Sequence, residues 1–169
     1  MLTPMDVELT QLSIQIGLAL KARGLMLASA ESCTGGWIAK VITDTPGSSA
    51  WFDRGFVTYS NEAKREMLRV KEMTLAHHGA VSAETVSEMA EGALANSHAH
   101  LALAVSGVTG PDGGTADKPI GTVWFSWMVR DSVSCVRREH FEGDREIVRR
   151  LSVITALQGV LDVIAMPRC

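Results

Sequence analysis

Leu25-Met26-Leu27-Ala28-Ser29-Ala30-Glu31-Ser32-Cys33-Thr34-Gly35-Gly36-Trp37-Ile38-Ala39-Lys40-Val41-Ile42 changes character halfway along. Leu25 to Ala28 read as a buried strand, and from Thr34 onward the pattern is that of a helix with an opening turn rich in small residues. Two side chains with nucleophilic atoms, Ser32 and Cys33, therefore fall at a strand-to-helix turn. The free N–H groups of a helix start, at the positive end of its dipole, suit an anion or a developing oxyanion.

Outward from this unit, the chain alternates helical and extended patterns. Before it, Leu9, Leu12, Ile16 and Leu20 recur at helical spacing, predicting an amphipathic helix from about Asp6 to Ala22 that Gly24 helps to end. After it, Thr43 to Ser49 is dense in turn residues, and Phe52 to Tyr59 reads as a second strand. Ser60-Asn61 then offers a cap for a helix carrying Glu62, Lys64, Met67 and Leu68. Ser82 and Glu84 open a further helix packed through Val86, Met89, Ala90, Ala93 and Leu94. The segment between them, with His77-His78-Gly79, is left unassigned.

Leu101-Ala102-Leu103-Ala104-Val105-Ser106 is a continuous apolar run, as in a strand covered on both faces, and it empties into the loop Gly107 to Gly114. Gly121 to Val129 and Val133 to Phe141 read as an antiparallel hairpin turning at Arg130-Asp131-Ser132. Gly143-Asp144 starts a last helix with Ile147, Leu151, Ile154, Leu157, Leu161 and Ile164 on one face. Helices interleaved with about five strands predict a three-layer α/β/α sandwich with a mixed sheet, folded as one domain over residues 1–169.

Bulk properties exclude several function classes. The 169 residues are 46% hydrophobic, enough for one real core. Sixteen basic against 19 acidic residues leave a net charge of -3, which argues against an electrostatic grip on nucleic acid. No apolar run is long enough for a membrane span and the N-terminus lacks the pattern of a signal peptide, so a soluble, unexported protein is expected. Cys33, Cys135 and Cys169 show neither a zinc pattern nor a disulfide framework, which favours reduced thiols in the cytoplasm.

Candidate chemistry stays open at the level of single residues. Ser32 reads equally as a nucleophile or as the N-cap of the helix after it, and Cys33 is its rival, since a helix N-terminus stabilises a thiolate. Lys64 lies near a helix start, where the dipole disfavours positive charge, so it is either a solvated lysine or a neutral base able to take a serine proton. Tyr59, the only tyrosine, either closes the core or stacks on a ring. The Gly107 loop leaves a buried strand where open α/β sheets place ligand contacts, without the spacing of a nucleotide-binding glycine motif; otherwise it is a connector. Arg145 suits a phosphate, or else an ion pair with Glu142 or Glu146. The pairs His77-His78 and His98/His100 lack carboxylate or cysteine partners, so no metal site is expected.

Taken together, Ala30 to Gly36, Gly55 to Lys64, Gly79 to Ser82, Ser106 to Gly114 and Lys118 to Trp124 resemble the C-terminal domain of the CinA competence/damage-inducible family. The likeness runs in order along nearly the whole chain. As a stand-alone domain, the chain is most similar to members that hydrolyse the carboxamide of nicotinamide mononucleotide to nicotinate mononucleotide and ammonia, returning pyridine nucleotide to NAD synthesis. The resemblance implies a serine/lysine amidohydrolase with Ser32 as nucleophile and Lys64 as base, with no cofactor and no metal. Tyr59 then falls at the substrate pocket. Arg145 is the expected 5'-phosphate contact, with Thr109 and Gly110 completing that pocket, and backbone groups around Thr34, Gly35 and Gly107 are expected at the oxyanion. Nicotinamide mononucleotide is the expected partner, with neither nucleic acid nor membrane, in a homo-oligomer of two or more copies. The family name also suggests a different class, a non-catalytic nucleotide-binding or interaction module linked to competence or DNA damage.

Overall fold

The computed structural model of the protein describes residues 3–132 and 134–166. Its first helix, α1 (Pro4–Arg23), is delimited by local chemistry: Thr3 and Asp6 form a reciprocal capping box, Pro4 sits in the first turn, and Gly24 closes the end in the left-handed conformation. The chain is still peeling off α1 at Leu25, whose N–H donates to Leu20 O at 3.0 Å. Strand β1 accordingly spans Leu27–Glu31, two residues later than the apolar run suggests.

The next helix, α2 (Trp37–Thr43), also starts later than expected. Gly35 and Gly36 have φ of 60° and 95°, outside the right-handed helical region, so residues 32–36 form a turn and not a first helical turn. A short 3₁₀ turn at Ser48–Ala50 leads into β2 (Phe52–Val57). Helices α3 (Asn61–Leu68), α4 (Glu72–His78) and α5 (Ala83–Ala95) follow, so that the unassigned histidine segment is itself a short helix. Strands β3 (Leu101–Gly107), β4 (Thr122–Val129) and β5 (Cys135–His140) precede the long α6 (Arg145–Ala165). Val133, the expected first residue of the last strand, lies outside the described residues.

The sheet is mixed, in the order β2-β1-β3-β4-β5. Strand β1 runs parallel to β2 and β3, whereas β4 is antiparallel to both of its neighbours. Alternation along the strands sorts the two faces by size. Leu27, Leu101, Leu103, Val105, Val123, Phe125 and Trp127 face α1, α2 and α6. The opposite face is built from Ala28, Ala30, Ala102 and Ala104, and against it lies α5 with Val86, Met89, Ala90 and Ala93. Small side chains on both surfaces let that helix sit close.

Helix α6 turns a different stripe inward from the one its large aliphatic residues suggest. Val148, Ser152, Val153, Ala156, Leu157, Gly159 and Val160 are buried. Of the expected face, Leu157 alone is fully covered, and Ile147, Leu151, Ile154, Leu161 and Ile164 are half-buried along its flanks. The reason is Trp127: its indole occupies the space a Cβ on Gly159 would need, and its Nε1 donates to Ala156 O at 2.9 Å. Close approach at a small-residue stripe outweighs the larger side chains.

Candidate active site

Strands β1, β2 and β3 are parallel, so their carboxyl ends lie side by side, and the segments leaving them converge. Ser32 follows directly on β1, its N–H bonded to Val105 O of β3 at 3.0 Å, while Thr58 N–H, just past β2, donates to Glu31 O at 2.8 Å. Ser60 caps α3 by accepting from Ala63 N–H at 3.0 Å. That cap fixes the first turn of α3 and directs Lys64 back under the sheet edge.

Lys64 is the decisive side chain. It is only 1% exposed, and its Nζ lies 2.9 Å from Ser32 Oγ, 2.8 Å from Thr58 O and 3.5 Å from Tyr59 O. Among the described residues no carboxylate pairs with it. Burial therefore pushes its pKa below the usual lysine value, because no carboxylate offsets the water an ammonium ion would lose. A neutral amine has two N–H donors and one lone pair, and two carbonyls and one hydroxyl surround it. The Ser32 hydroxyl can accept from the amine or donate to its lone pair, so a proton can pass along this contact.

Cys33 meets the opposite fate. Its thiol is buried and its pKa is pushed up to about 12, first by desolvation. A thiol held that far from its thiolate is a poor nucleophile at neutral pH.

The turn itself is braced from two sides. Glu31, fully buried, accepts from Thr34 Oγ1 at 2.7 Å and from the N–H groups of Gly36, Ile38 and Ala39 at 3.2, 2.9 and 3.0 Å. Its carboxylate thus already occupies the positive end of α2, where the sequence suggested an external anion. Ser32 is consequently no N-cap: Gly36 takes that position without a side-chain bond. From the other side, Arg149 of α6 donates through Nε to Cys33 O at 3.0 Å and through Nη2 to Thr34 O at 3.1 Å. Trp37 packs beneath the guanidinium of Arg149, 5.5 Å from its ring centroid, and beneath that of Arg150 at 5.0 Å.

A second cluster forms around Arg145, in the first turn of α6. Its Nη1 donates to Thr109 Oγ1 at 2.7 Å and to Gly110 O at 2.8 Å, and its Nη2 to Tyr59 OH at 3.1 Å. Three of its five N–H donors are engaged, which leaves two for a ligand. Glu146 bonds to Arg150 instead, and no acidic side chain among the described residues pairs with Arg145. Tyr59, 63% exposed, connects the two clusters: its carbonyl faces Lys64 and its hydroxyl faces Arg145.

The structure thus brings Ser32 and Lys64 together, and separately Tyr59, Thr109, Gly110 and Arg145. Thr34 and Gly35 lie in the same turn as Ser32, but the Thr34 hydroxyl is turned to Glu31 and the Gly35 N–H to Ser32 O at 3.1 Å. Gly107 is packed against β4, where a Cβ would come within 2.7 Å of Val123 Cγ2 and 2.9 Å of Thr122 O. Glu31 and Arg149 are the site residues that sequence patterns do not single out. The one available signal for Arg149 is its i, i+4 spacing from Arg145, which puts both on one helix face. Among the described residues no three His, Cys, Asp or Glu side chains are grouped to hold a metal ion, and no helix is long and apolar enough to cross a membrane. Cys33 and Cys135 are free thiols, and Cys169 lies outside the described residues.

Known proteins match this chain along most of its length. The model of the CinA C-terminal domain matches residues 9–164. The chain is 60% identical over 153 residues to the nicotinamide-nucleotide amidohydrolase PncC of Escherichia coli K12, covering 90% of this chain and 93% of that protein. It is 51% identical over 155 residues to the protein of the same name from Pseudomonas putida, covering 92% and 96%. Among solved structures, the competence damage-inducible protein A (ComA) from Klebsiella pneumoniae superposes with a TM-score of 0.91 at 42% identity, over 95% of this chain and 99% of that one.

Proposed function

We propose that this chain, which belongs to the CinA C-terminal domain family, hydrolyses the carboxamide of nicotinamide mononucleotide to nicotinate mononucleotide and ammonia, and does so through an acyl-enzyme on Ser32. The substrate is suggested by the names of the relatives that match over nine-tenths of the chain. The observation that carries the chemistry is the buried, uncompensated Lys64 amine 2.9 Å from the Ser32 hydroxyl.

In this reading Lys64 takes the Ser32 proton as Oγ attacks the carboxamide carbon. The tetrahedral oxyanion is met by backbone N–H groups of the 33–34 turn. Lys64 returns the proton to the nitrogen, the C–N bond breaks and ammonia departs. Water then attacks the acyl carbon, gives a proton to Lys64, and Ser32 recovers its own as the ester bond breaks. The cycle closes without a cofactor. Arg145, with Tyr59, Thr109 and Gly110, holds the 5'-phosphate through its two remaining donors. The setting is pyridine nucleotide salvage in the cytoplasm, in keeping with the free thiols. Assembly of two or more copies is supported by Val7, Ile14 and Leu18 on α1, which are 43%, 45% and 66% exposed.

A substrate panel tests the reading. The wild-type protein should release ammonia from the mononucleotide with or without chelator, and far less efficiently from the riboside and from free nicotinamide. Arg145→Met should raise KM for the mononucleotide about 10- to 100-fold, the value of a charge-assisted hydrogen-bond pair, and leave the riboside nearly unaffected. Binding of the mononucleotide without ammonia release would instead favour the non-catalytic module. An equal loss on both nucleoside forms would remove Arg145 from the phosphate.

A further inference from the structure

The amidase reading needs an oxyanion donor, and the most obvious ones are already in use. The Gly36, Ile38 and Ala39 N–H groups at the start of α2 are bonded to Glu31, and the Gly35 N–H to Ser32 O. Ser32 N–H is bonded to Val105 O. Among the described residues, Thr34 N–H has no acceptor, and Cys33 N–H has only its own sulfur nearby. These are the two amides that directly follow the nucleophile.

Resting on that amidase reading, we infer that Arg149 is a positioning residue that aims and strengthens the Thr34 N–H as the oxyanion donor. The peptide unit joining Cys33 to Thr34 is planar and trans, so its C=O and its N–H point in opposite directions. Arg149 Nε holds that C=O at 3.0 Å, which turns the Thr34 N–H to the face of the turn away from the guanidinium. Its Nη2 holds the next carbonyl, Thr34 O, at 3.1 Å, so the fork grips two successive peptide units and fixes their tilt. A full positive charge on the carbonyl side also polarises the peptide, and a polarised amide is a better donor on its other side. Arg149 is itself held in place: it lies over Trp37, which Arg150 also covers, and Arg150 is paired with Asp6 and Glu146. Glu31 completes the device by removing the competing helix amides and anchoring the far end of the turn.

The test compares wild type, Arg149→Met and Arg149→Lys in two measurements. In steady-state ammonia release from nicotinamide mononucleotide, Arg149→Met should lower kcat about 10- to 100-fold, somewhat less than loss of an oxyanion donor itself. KM should stay within about threefold and the pH midpoint of kcat/KM should not move, since neither phosphate contact nor dyad is touched. Arg149→Lys, keeping charge but losing the fork, should fall between. In a ¹⁵N-¹H spectrum the Thr34 amide proton should shift upfield in Arg149→Met while the spectrum stays dispersed. Unchanged kcat in both variants, a change confined to KM, a moved pH midpoint, or collapse of the spectrum in both variants would each overturn the assignment. A wild-type protein that releases no ammonia would count against the amidase reading itself. An active wild type with an indifferent Arg149 would count against this inference alone.

Discussion

Ammonia release from nicotinamide mononucleotide is expected to fall at least about 10⁴-fold when Ser32 is replaced by alanine, as for a nucleophile whose partners cannot act without it. The size of the effect follows from geometry. Ser32 Oγ is the one atom in the turn that a neutral amine can deprotonate directly, at 2.9 Å. The neighbouring thiol offers no substitute, because burial holds its pKa near 12. Cys33→Ala should therefore retain activity within about threefold, the change reflecting packing only. Steady-state assays of the two variants, with amide spectra to show that each is folded, decide between oxygen and sulfur. An inactive Cys33→Ala beside an active Ser32→Ala would make this a thiol enzyme.

Lys64→Met is expected to cost about 10³- to 10⁴-fold or more, since base and nucleophile act as a unit. The wild-type enzyme should in turn show the titration of the base. Burial lowers the Lys64 pKa from 10.5, and in the proposed mechanism the active form is the neutral one. The value of kcat/KM should therefore climb about tenfold per pH unit below the lowered pKa and level off above it. Stability is linked to the same group. Between the lowered pKa and 10.5 the unfolded chain binds more protons than the folded one, so stability should rise with pH through that window. Lys64→Met should abolish that rise. A pH profile that falls where it should climb would mean that the ammonium form is the working one.

The layered fold is legible in the sequence because it rests on local signals. The continuous apolar run at Leu101–Ser106, the strand pattern at Gly121–Val129 and the cap residues Ser60 and Ser82 are readable without tertiary context, and the strands and helices fall where they point. Boundaries set by glycine geometry are less visible. Nothing in a hydrophobic period says that Gly35 and Gly36 take positive φ, so α2 begins three residues after the pattern suggests. The inward face of α6 is hidden for a related reason: Gly159 and Ala156 gain their place from Trp127, a residue on another element.

The site divides in the same way. Ser32 and Lys64 are 32 positions apart, and what joins them is the parallel pairing of β1 with β2, which no spacing rule encodes. Resemblance to a family pairs them in the sequence; no residue pattern does. Glu31 lies next to Ser32 yet reads as an ordinary charged residue at a strand end. Its role depends on complete burial and on four hydrogen bonds that exist only once α2 is docked. Arg149 is one arginine among three in the first two turns of α6, and only its reach to the Cys33 and Thr34 carbonyls separates it from Arg150.

The acyl-enzyme is the center of the proposed chemistry, and hydroxylamine tests it most directly. Turnover of nicotinamide mononucleotide by the wild-type enzyme in rising hydroxylamine should divide the product between carboxylate and hydroxamate, while ammonia release continues at least as fast as without it. That partition is expected because hydroxylamine competes with water for the ester on Ser32 only after ammonia has left. Carboxylate as the sole product at every hydroxylamine concentration, with ammonia release undiminished, would mean that water attacks the amide directly and would contradict the account.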